Sequence, residues 1–509
     1  MIYHHIAALV EKAVETELIM EADRIYARNQ VLGKLNLTDF PEDIDAGVRG
    51  NHAAPEADTV TSGHQTNRSI PNILADIIDY AITHHVIDDT LDAKEILSAD
   101  IMNCFVARPS VVNQTFNEKY ALSPQAATDY FYALSQNNNY IQTERIKKNI
   151  HYQAKTNYGK LDITINLSKP EKDPEQIKRE REMKQAIRYP KCPLCVENEG
   201  YPGRVDHPAR ANHRVIHVPL NGEDWYFQYS PYVYYNEHSI VLSGEHRDMK
   251  INQAAFDRLL TFTEKFPHYF IGSNADLPVV GGSILTHDHY QAGRYEFAMM
   301  RAKEKYTFSM DAHQGVHASV LEWPLSVIQL QSTSKQEILD AADTVLNTWK
   351  QYSDPNAAIF AYSGATPHNT ITPIARKRGE TYILDLVLRN NRTSTTYPLG
   401  IFHPHESVQH IKKENIGLIE VMGLAVLPAR LKDELKEIES FLTGGSHQIA
   451  EYHVDWARIL KHKHGTVHSA EEAHAIVQQE LGYKFATVLE HAGVFKHEKS
   501  WRRFTQTLA

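Results

Sequence analysis

Cysteine is scarce in this chain of 509 residues, which contains only Cys104, Cys192 and Cys195. Three cysteines are too few for the disulfide framework that stabilises many small secreted domains. The low number instead indicates a reducing environment, and we expect a cytoplasmic location.

Long apolar runs and an excess of basic charge are also missing. No run of roughly 18 apolar residues occurs, so no transmembrane helix is expected. The acidic residues within the first apolar stretch argue against a signal peptide. Lys and Arg number 53 against 63 Asp and Glu, a net charge of −10. This mild acidity argues against a general binder of nucleic acid or of membrane surfaces, so neither partner is expected, with a local basic site as the alternative.

Hydrophobic periodicity predicts a mostly helical N-terminal extension over residues 1–157. Apolar residues recur at helical spacing in two segments, at Ile6, Leu9, Val10, Ala13 and Val14 and at Ile73, Leu74, Ile77, Ile78 and Ala81. We interpret the extension as packing scaffold, with an accessory domain as the alternative.

The rest of the chain predicts an α+β fold built from two related halves. Strands, a helix, further strands and a His-x-His motif follow one another twice, which indicates an internal duplication. The first half, with the candidate nucleophile and the CxxC motif, covers residues 158–300, the second covers 301–440, and a helical C-terminal tail covers 441–509. Apolar residues alternate with other residues over 158–167, which predicts a half-buried strand. Residues 416–442 are predicted to be helical.

The strongest functional signal is the sequence GGSILTHDHYQ, which ends at Gln291. In an extended chain His287, His289 and Gln291 would point to one face, because side chains alternate along a strand. The turn before them, with Gly282 and Ser283, lets backbone N–H groups approach an anion. The pattern predicts a phosphate site with a histidine nucleophile; two structural histidines near a turn are the alternative.

A histidine nucleophile of this kind implies a two-step displacement. One imidazole nitrogen attacks phosphorus while a neighbouring carbonyl holds the other nitrogen as N–H. The phosphoramidate that forms is a covalent intermediate. Gln291 cannot titrate, so it would stabilise developing charge through an N–H group rather than protonate a leaving group. It therefore favours a leaving group that departs unaided, such as a sugar phosphate, and transfer to another phosphate over hydrolysis.

The motif Cys192-Pro-Leu-Cys195 supplies two of the four ligands that a structural zinc site needs. His246 and His287 are the candidates for the other two ligands. A reduced, metal-free cysteine pair is the alternative.

Two further patterns leave their interpretation open. His403-Pro-His405 has the spacing of His287 and His289, and it is either a second metal or substrate site or an ordinary pair in a loop. The aromatic segment of residues 225–235 is suited to strands, and it either packs in the core or forms a wall for a nucleobase.

Four stretches together resemble the galactose-1-phosphate uridylyltransferases: CPLC, YSPYVYYNEH, GGSILTHDHYQ and IKKENIGLIEVMGLAVLP. The resemblance is to the longer class II form typical of Gram-positive bacteria, in the histidine-triad superfamily. It implies two related halves of antiparallel sheets with helices in one chain. It also implies a ping-pong reaction of UDP-glucose with galactose 1-phosphate that gives glucose 1-phosphate and UDP-galactose. The oligomeric state stays open, with a homodimer as one option.

The resemblance implies roles for individual residues of the first half. The family nucleophile falls on His289 and its glutamine on Gln291. Asn274 and Ser283 fall where the class I form contacts phosphate. The Asn-Asp pair that contacts uridine in class I has no clear counterpart.

Further implied contacts are spread along the chain. Lys169 and Lys172 have the spacing of two class I arginines but lack the bidentate fork of arginine. His403 and His405 match a segment with metal or substrate contacts, and Glu420 lies in the predicted helix after it. The class I metal ligands fall on Cys192, Cys195, His246 and His287.

Two other hypotheses compete with uridylyl transfer. The first is another histidine-triad nucleotidyltransferase, a phosphorylase or a nucleotide hydrolase, and Gln291 argues against the hydrolases. The second is a zinc-stabilised binding protein without catalytic activity, which needs no nucleophile.

Overall fold

The structure is a computed structural model that describes residues 1–44, 68–168, 189–282 and 284–509. Lys169, Lys172 and Ser283, three of the predicted substrate contacts, lie outside the described residues. The described chain divides into two compact units. The first takes its residues from 1–144, 170–218 and 224–233, and the second takes them from 145–169, 219–223 and 234–509.

The helices and strands are as follows, in chain order. The α-helices are α1 (Ile2–Glu15), α2 (Arg24–Lys34), α3 (Ile70–Thr83), α4 (Leu91–Asn103), α5 (Pro109–Leu122), α6 (Pro124–Asn137), α7 (Thr143–Ile146), α8 (Gln253–Lys265), α9 (Lys335–Gln351), α10 (Glu406–Gln409), α11 (Leu418–Val421), α12 (Leu431–Thr443), α13 (Val454–His464), α14 (Ala470–Ala492) and α15 (Glu498–Thr505). The strands are β1 (Ile150–Thr156), β2 (Gly159–Ile165), β3 (Ile216–His217), β4 (Trp225–Tyr229), β5 (Ser239–Ser243), β6 (Phe270–Gly272), β7 (His289–Gly293), β8 (Glu304–Phe308), β9 (His317–Leu321), β10 (Val327–Ser332), β11 (Tyr362–Ser363), β12 (Thr366–Pro367), β13 (Asn369–Arg378), β14 (Thr381–Asn390) and β15 (Leu424–Leu427).

Helices α1 and α3 of the first unit each bury one apolar face and pack against each other. Four of the five residues predicted for the apolar face of α1 are buried, and only Val14 is half-buried. All five predicted residues of α3 are buried. Pro71 lies in the first turn of α3, where its missing N–H costs no helical hydrogen bond. The prediction of amphipathic helices in the N-terminal extension is therefore confirmed.

Strands β3 and β4 form an antiparallel hairpin of the first unit. Trp225, Phe227 and Tyr229 of β4 are fully buried. The ring of Phe131 in α6 lies 5.6 Å from the ring of Phe227 and 5.3 Å from that of Tyr229. These three aromatic residues of β4 pack in the core, so the interpretation of a nucleobase wall is wrong for them.

The second unit contains two copies of one strand–helix–strand–strand pattern. Its strands neighbour one another in the order β5-β7-β6-β13-β14-β10-β9-β8. Strand β5 is followed by α8, β6 and β7, and β10 is followed by α9, the short β11–β12 hairpin, β13 and β14. The two copies meet where β6 pairs with β13, and their strand orders are mirror images about that junction. The predicted duplication and the α+β class with antiparallel sheets are confirmed.

The repeat does not follow the spacing of the two His-x-His motifs. His289 begins β7, and the topological counterpart of β7 is β14. His403 and His405 follow β14 instead of lying on it. The sequence interpretation that the two motifs mark equivalent places in the duplication is therefore wrong.

Strand β2 lies between β1, which is antiparallel to it, and β15, which is parallel to it. The prediction of a half-buried strand is wrong, because every residue of β2 from Leu161 to Ile165 is buried. The prediction of a continuous helix over residues 416–442 is also wrong, since β15 interrupts it. Gly423, with φ of 102°, redirects the chain after α11 in a conformation that favours glycine.

A hydrophobic cluster of the second unit joins this small sheet to the C-terminal helices. Leu161 and Ile163 of β2 belong to the same buried cluster as Leu435 of α12 and Phe485 of α14. Among the helices that the structure describes, none has the length and apolar character needed to cross a membrane.

A row of paired residues crosses both copies of the repeat: Gln291, Gly272, Ile374, Asp385 and Gln329. Paired residues of antiparallel strands point to the same face. Asp385 is fully buried and forms an ion pair with Arg376. Its Oδ1 also accepts a hydrogen bond from Gln329 Nε2 at 2.8 Å. The carboxylate is thus compensated by both partners inside the sheet.

We expect Arg376→Met to lower the free energy of unfolding by about 3–5 kcal/mol, because it leaves Asp385 as an uncompensated buried charge. Denaturant unfolding measures the change. The control is Lys436→Met, which removes an exposed ion pair with Asp433 and should cost less than about 1 kcal/mol. Equal effects of the two substitutions would contradict the stabilising role of the buried pair.

Candidate active site

Strand β7 presents His289 and Gln291 on one face of its sheet. Tyr290 points to the opposite face, where its hydroxyl accepts a hydrogen bond from Arg258 Nε of α8 at 2.8 Å. The strand begins at His289, and His287 lies in the bend before it. Strand alternation therefore brings only His289 and Gln291 together, and the expectation that His287 shares the strand face is wrong.

The imidazole of His289 is held through Nδ1. This nitrogen lies 2.7 Å from the carbonyl oxygen of His287, and because a carbonyl only accepts, Nδ1 is the protonated nitrogen. Burial lowers the pKa of His289 to about 4, so the ring is neutral near pH 7 and has its lone pair on Nε2. No hydrogen bond of the described residues engages Nε2, and 7% of the residue's surface stays exposed. The bond to His287 therefore fixes the tautomer of His289.

Gln291 contacts a histidine that the sequence interpretation missed. Nε2 of His238 lies 3.2 Å from Gln291 Oε1. The two residues are 53 positions apart, and the pairing of β5 with β7 brings them together. No local pattern in the sequence signals this contact, because it depends on which strands become neighbours.

The loop between β6 and β7 places Asn274 against Gly282. A Cβ atom on Gly282 would lie 2.8 Å from Asn274 Nδ2, so a larger residue there would displace the amide. Asn274 Oδ1 accepts a hydrogen bond from the backbone N–H of Leu418 at 2.8 Å. This bond identifies Nδ2 as the donor side of the amide that faces Gly282. Asn274 follows Gly272 by two residues, and Gly272 pairs with Gln291 on the neighbouring strand. Asn274 therefore presents its N–H donor just beyond this pair.

Glu420 supports the backbone segment that holds Asn274. Its Oε2 accepts a hydrogen bond from the N–H of Gly417 at 3.2 Å, and its Oε1 accepts one from Lys412 Nζ at 2.9 Å. Both Glu420 and Lys412 are buried. The ion pair thus stabilises the start of α11, where Leu418 donates to Asn274.

The second copy of the repeat has no nucleophile at the corresponding place. Matching the copies outward from the β6–β13 junction puts Asp385 at the position of Gln291. Two residues earlier on each strand, Ile383 takes the position of His289. An aliphatic side chain cannot attack phosphorus, so the second copy lacks at this place the imidazole that the first copy has at His289.

His403 and His405 follow β14 in the chain and are not part of a strand, and nearby residues contact His405. His403 is buried. Nε2 of His405 lies 2.9 Å from the carbonyl oxygen of Ile401, and its ring stacks on Tyr397 and on His491 at centroid distances of 4.2 and 4.3 Å. The part of the chain that the structure describes forms no metal-ligand group with either histidine.

Cys192, Cys195, His246 and His287 form a group whose ligand atoms all lie within 4.8 Å of one another. The two Sγ atoms are 3.5 Å apart, and the two imidazole centroids are 5.0 Å apart. His287 Nε2 lies 2.8 Å from the carbonyl oxygen of Ser243, so Nδ1 is the nitrogen that would bind a metal. Two thiolates and two imidazoles are a donor set typical of structural zinc, and the four residues fit such an ion.

Comparison with known proteins extends over nearly the whole chain. The family models described as galactose-1-phosphate uridyl transferase, N-terminal domain, and as its C-terminal domain match residues 17–248 and 262–458. A galactose-1-phosphate uridylyltransferase of Clostridium perfringens (strain 13 / Type A) is 48% identical over 98% of both chains. That of Bacillus subtilis (strain 168) is 47% identical over 100% of this chain and 98% of its own. A third relative, galactose-1-phosphate uridylyltransferase 2 of Streptococcus pneumoniae serotype 4, is 49% identical over 94% and 92% of the two chains.

These matches confirm the resemblance drawn from the four sequence stretches. The two family models cover every strand of both copies of the strand–helix–strand–strand pattern and both histidines of the His-x-His-x-Gln motif. The chain belongs to the galactose-1-phosphate uridyl transferase family, a family of transferases.

Proposed function

We propose that this chain transfers the uridylyl group of UDP-glucose to galactose 1-phosphate, giving glucose 1-phosphate and UDP-galactose. The observation that carries the proposal is the geometry of His289, whose Nδ1–H is engaged by a carbonyl and whose Nε2 lone pair is left for phosphorus. The names of relatives at 47–48% identity support the choice of reaction. The expected partners are UDP-glucose, UDP-galactose and the two hexose 1-phosphates.

The proposed reaction has two displacements at the same phosphorus. Nε2 of His289 attacks the α-phosphorus of UDP-glucose, a P–N bond forms, and the bond from that phosphorus to the bridging oxygen breaks. The electron pair of the broken bond leaves with glucose 1-phosphate, so no proton has to move. A phosphate oxygen of galactose 1-phosphate then attacks the uridylyl phosphorus, and the electron pair of the P–N bond returns to Nε2.

Fixed N–H donors would stabilise the charge that develops on the phosphate oxygens. The amide groups of Gln291 and Asn274 are suited to this role, because the N–H of Leu418 donates to the oxygen of Asn274 and Nε2 of His238 lies 3.2 Å from the oxygen of Gln291. Neither amide can protonate a leaving group, which suits a sugar phosphate. The residues that we propose as substrate contacts are Lys169, Lys172, Asn274, Gly282, Ser283, His403 and His405.

We also propose that Cys192, Cys195, His246 and His287 hold a structural zinc ion. When bound, such an ion would supply folding free energy through its bonds to two thiolates and two imidazoles. Burial raises the pKa of Cys195 to about 12, so without a cation this thiol keeps its proton. The domain boundaries, the cytoplasmic location and a homodimeric state stay predictions.

A uridylyl adduct on His289 is the expected product of mixing the protein with UDP-glucose alone. Intact-mass and peptide mass spectrometry should show the adduct on the peptide that contains residue 289. His289→Gly should abolish both the adduct and the sugar exchange, since no other group at this position can attack phosphorus. Its thermal unfolding should stay close to that of the unsubstituted protein.

The matched control for this experiment is His468→Gly, because His468 is an exposed histidine outside the helices. This variant should keep both the adduct and the activity. Full sugar exchange by a protein that never acquires the adduct would contradict the covalent route. A parallel loss of activity and thermal stability in His289→Gly would instead indicate a structural histidine.

Elemental analysis of protein purified without chelators should find about one zinc ion per chain. Cys195→Ser should lower the zinc content severalfold and reduce thermal stability, because structural zinc contributes folding free energy. Cys104→Ser changes the one cysteine outside the ligand group and should leave both quantities unaltered. Equal zinc contents in the two variants would show that the CxxC motif does not bind the ion.

A further inference from the structure

The carboxamide of Gln291 contacts a histidine that the proposed mechanism leaves unused. Nε2 of His238 lies 3.2 Å from Oε1 of Gln291. His238 immediately precedes β5, and β5 pairs with β7 along its length. Because His238 is only 4% exposed, bulk water competes little for this bond.

The turn before β5 holds the imidazole ring of His238 in one place. The ring packs against Tyr235 with centroids 4.5 Å apart. Glu237 adopts φ of 56°, a left-handed conformation that is uncommon for a residue other than glycine. An ion pair with Arg294 at 2.5 Å and a hydrogen bond from Tyr269 hold the carboxylate of Glu237. Contacts on both sides of the turn therefore determine where Nε2 of His238 points.

The protonation state of the buried His238 ring determines the orientation of the Gln291 amide. Burial lowers the pKa of His238 to about 4, so the neutral ring has a single N–H near pH 7. Among the described residues, Nδ1 of His238 has no hydrogen-bond partner. Buried N–H groups without a partner are rarer than unpaired acceptors, so the proton belongs on Nε2. Nε2–H then donates to Oε1, and the NH2 group of Gln291 faces the other way.

We propose that His238 is a positioning residue that holds Oε1 of Gln291 and so directs the NH2 group of Gln291 toward the phosphate at His289. The inference rests on the proposed function, because it requires Gln291 to donate to a phosphate oxygen. His289 and Gln291 share one face of β7, which places this donor beside the attacked phosphorus. A carboxamide without the bond to His238 would also populate the reversed orientation, in which Oε1 faces the anionic phosphate.

Two variants that differ by one methylene group test the proposal. His238→Gln keeps an N–H at the position of Nε2, whereas His238→Asn places its amide at the position of Nδ1 and cannot reach Gln291. We expect His238→Asn to lower kcat about tenfold, roughly the effect of one lost hydrogen bond. KM should change by less than about twofold, because the bond acts in the transition state. His238→Gln should stay within about threefold of the unsubstituted kcat, since it replaces the bond.

A double-mutant cycle shows whether His238 acts through Gln291. Gln291→Ala should lower kcat by about 10²- to 10³-fold through the loss of one charge-stabilising donor. Adding His238→Asn to Gln291→Ala should cost no further activity, because no amide remains to be oriented. The control is Ser239→Ala, a neighbouring change at a buried hydroxyl that has no hydrogen-bond partner within the described part of the chain. This control should keep the unsubstituted kcat.

Thermal unfolding of each variant separates loss of orientation from loss of folding. His238→Phe keeps the ring packing against Tyr235 but has no N–H, so its kcat should match that of His238→Asn. Additive losses in the double variant, or equal kcat values for the Gln and Asn variants, would overturn the positioning role and leave the uridylyl transfer proposal intact. An unchanged kcat in Gln291→Ala would overturn the proposed role of Gln291, and the role of His238 with it.

Discussion

The hydrogen bond from Nδ1 of His289 to the carbonyl oxygen of His287 is the constraint on which the rest of the site depends. A neutral imidazole has two tautomers, and only the one protonated at Nδ1 leaves a lone pair on Nε2. The carbonyl selects that tautomer and also aims the ring. His287 thus combines two contacts: its carbonyl oxygen orients His289, and its imidazole belongs to the candidate Cys₂His₂ group.

The two copies of the strand–helix–strand–strand pattern carry different side chains at equivalent positions. In the first copy, the strand face presents His289, whose Nε2 no hydrogen bond of the described residues engages. In the second copy, Ile383 and Asp385 occupy the equivalent positions, and Arg376 and Gln329 satisfy the carboxylate. The place of His289 thus holds an aliphatic side chain in the second copy, and the place of Gln291 holds a compensated buried charge.

The amide side chains of the site share one principle of orientation. An amide without a fixed partner presents its oxygen or its NH2 group with similar ease, and only the NH2 group is useful to an anion. The backbone N–H of Leu418 occupies the oxygen of Asn274, and Nε2 of His238 lies at the oxygen of Gln291. Glu420 and Lys412 in turn support the segment of Leu418. Donors that are aimed before substrate binds need no reorganisation during the reaction.

The amino-acid sequence by itself determined the features that depend on local spacing. The apolar faces of α1 and α3, the candidate nucleophile motif on β7 and the CxxC motif could all be read from residues close together in the chain. Only the tertiary structure decided the features that depend on distant neighbours. It made residues 424–427 a strand parallel to β2, covered both faces of β2, brought His238 to Gln291, and placed His403 and His405 outside the repeat. The physical reason is that burial and hydrogen-bond partners belong to pairs of segments, and a short stretch of sequence does not specify which segment will become its neighbour.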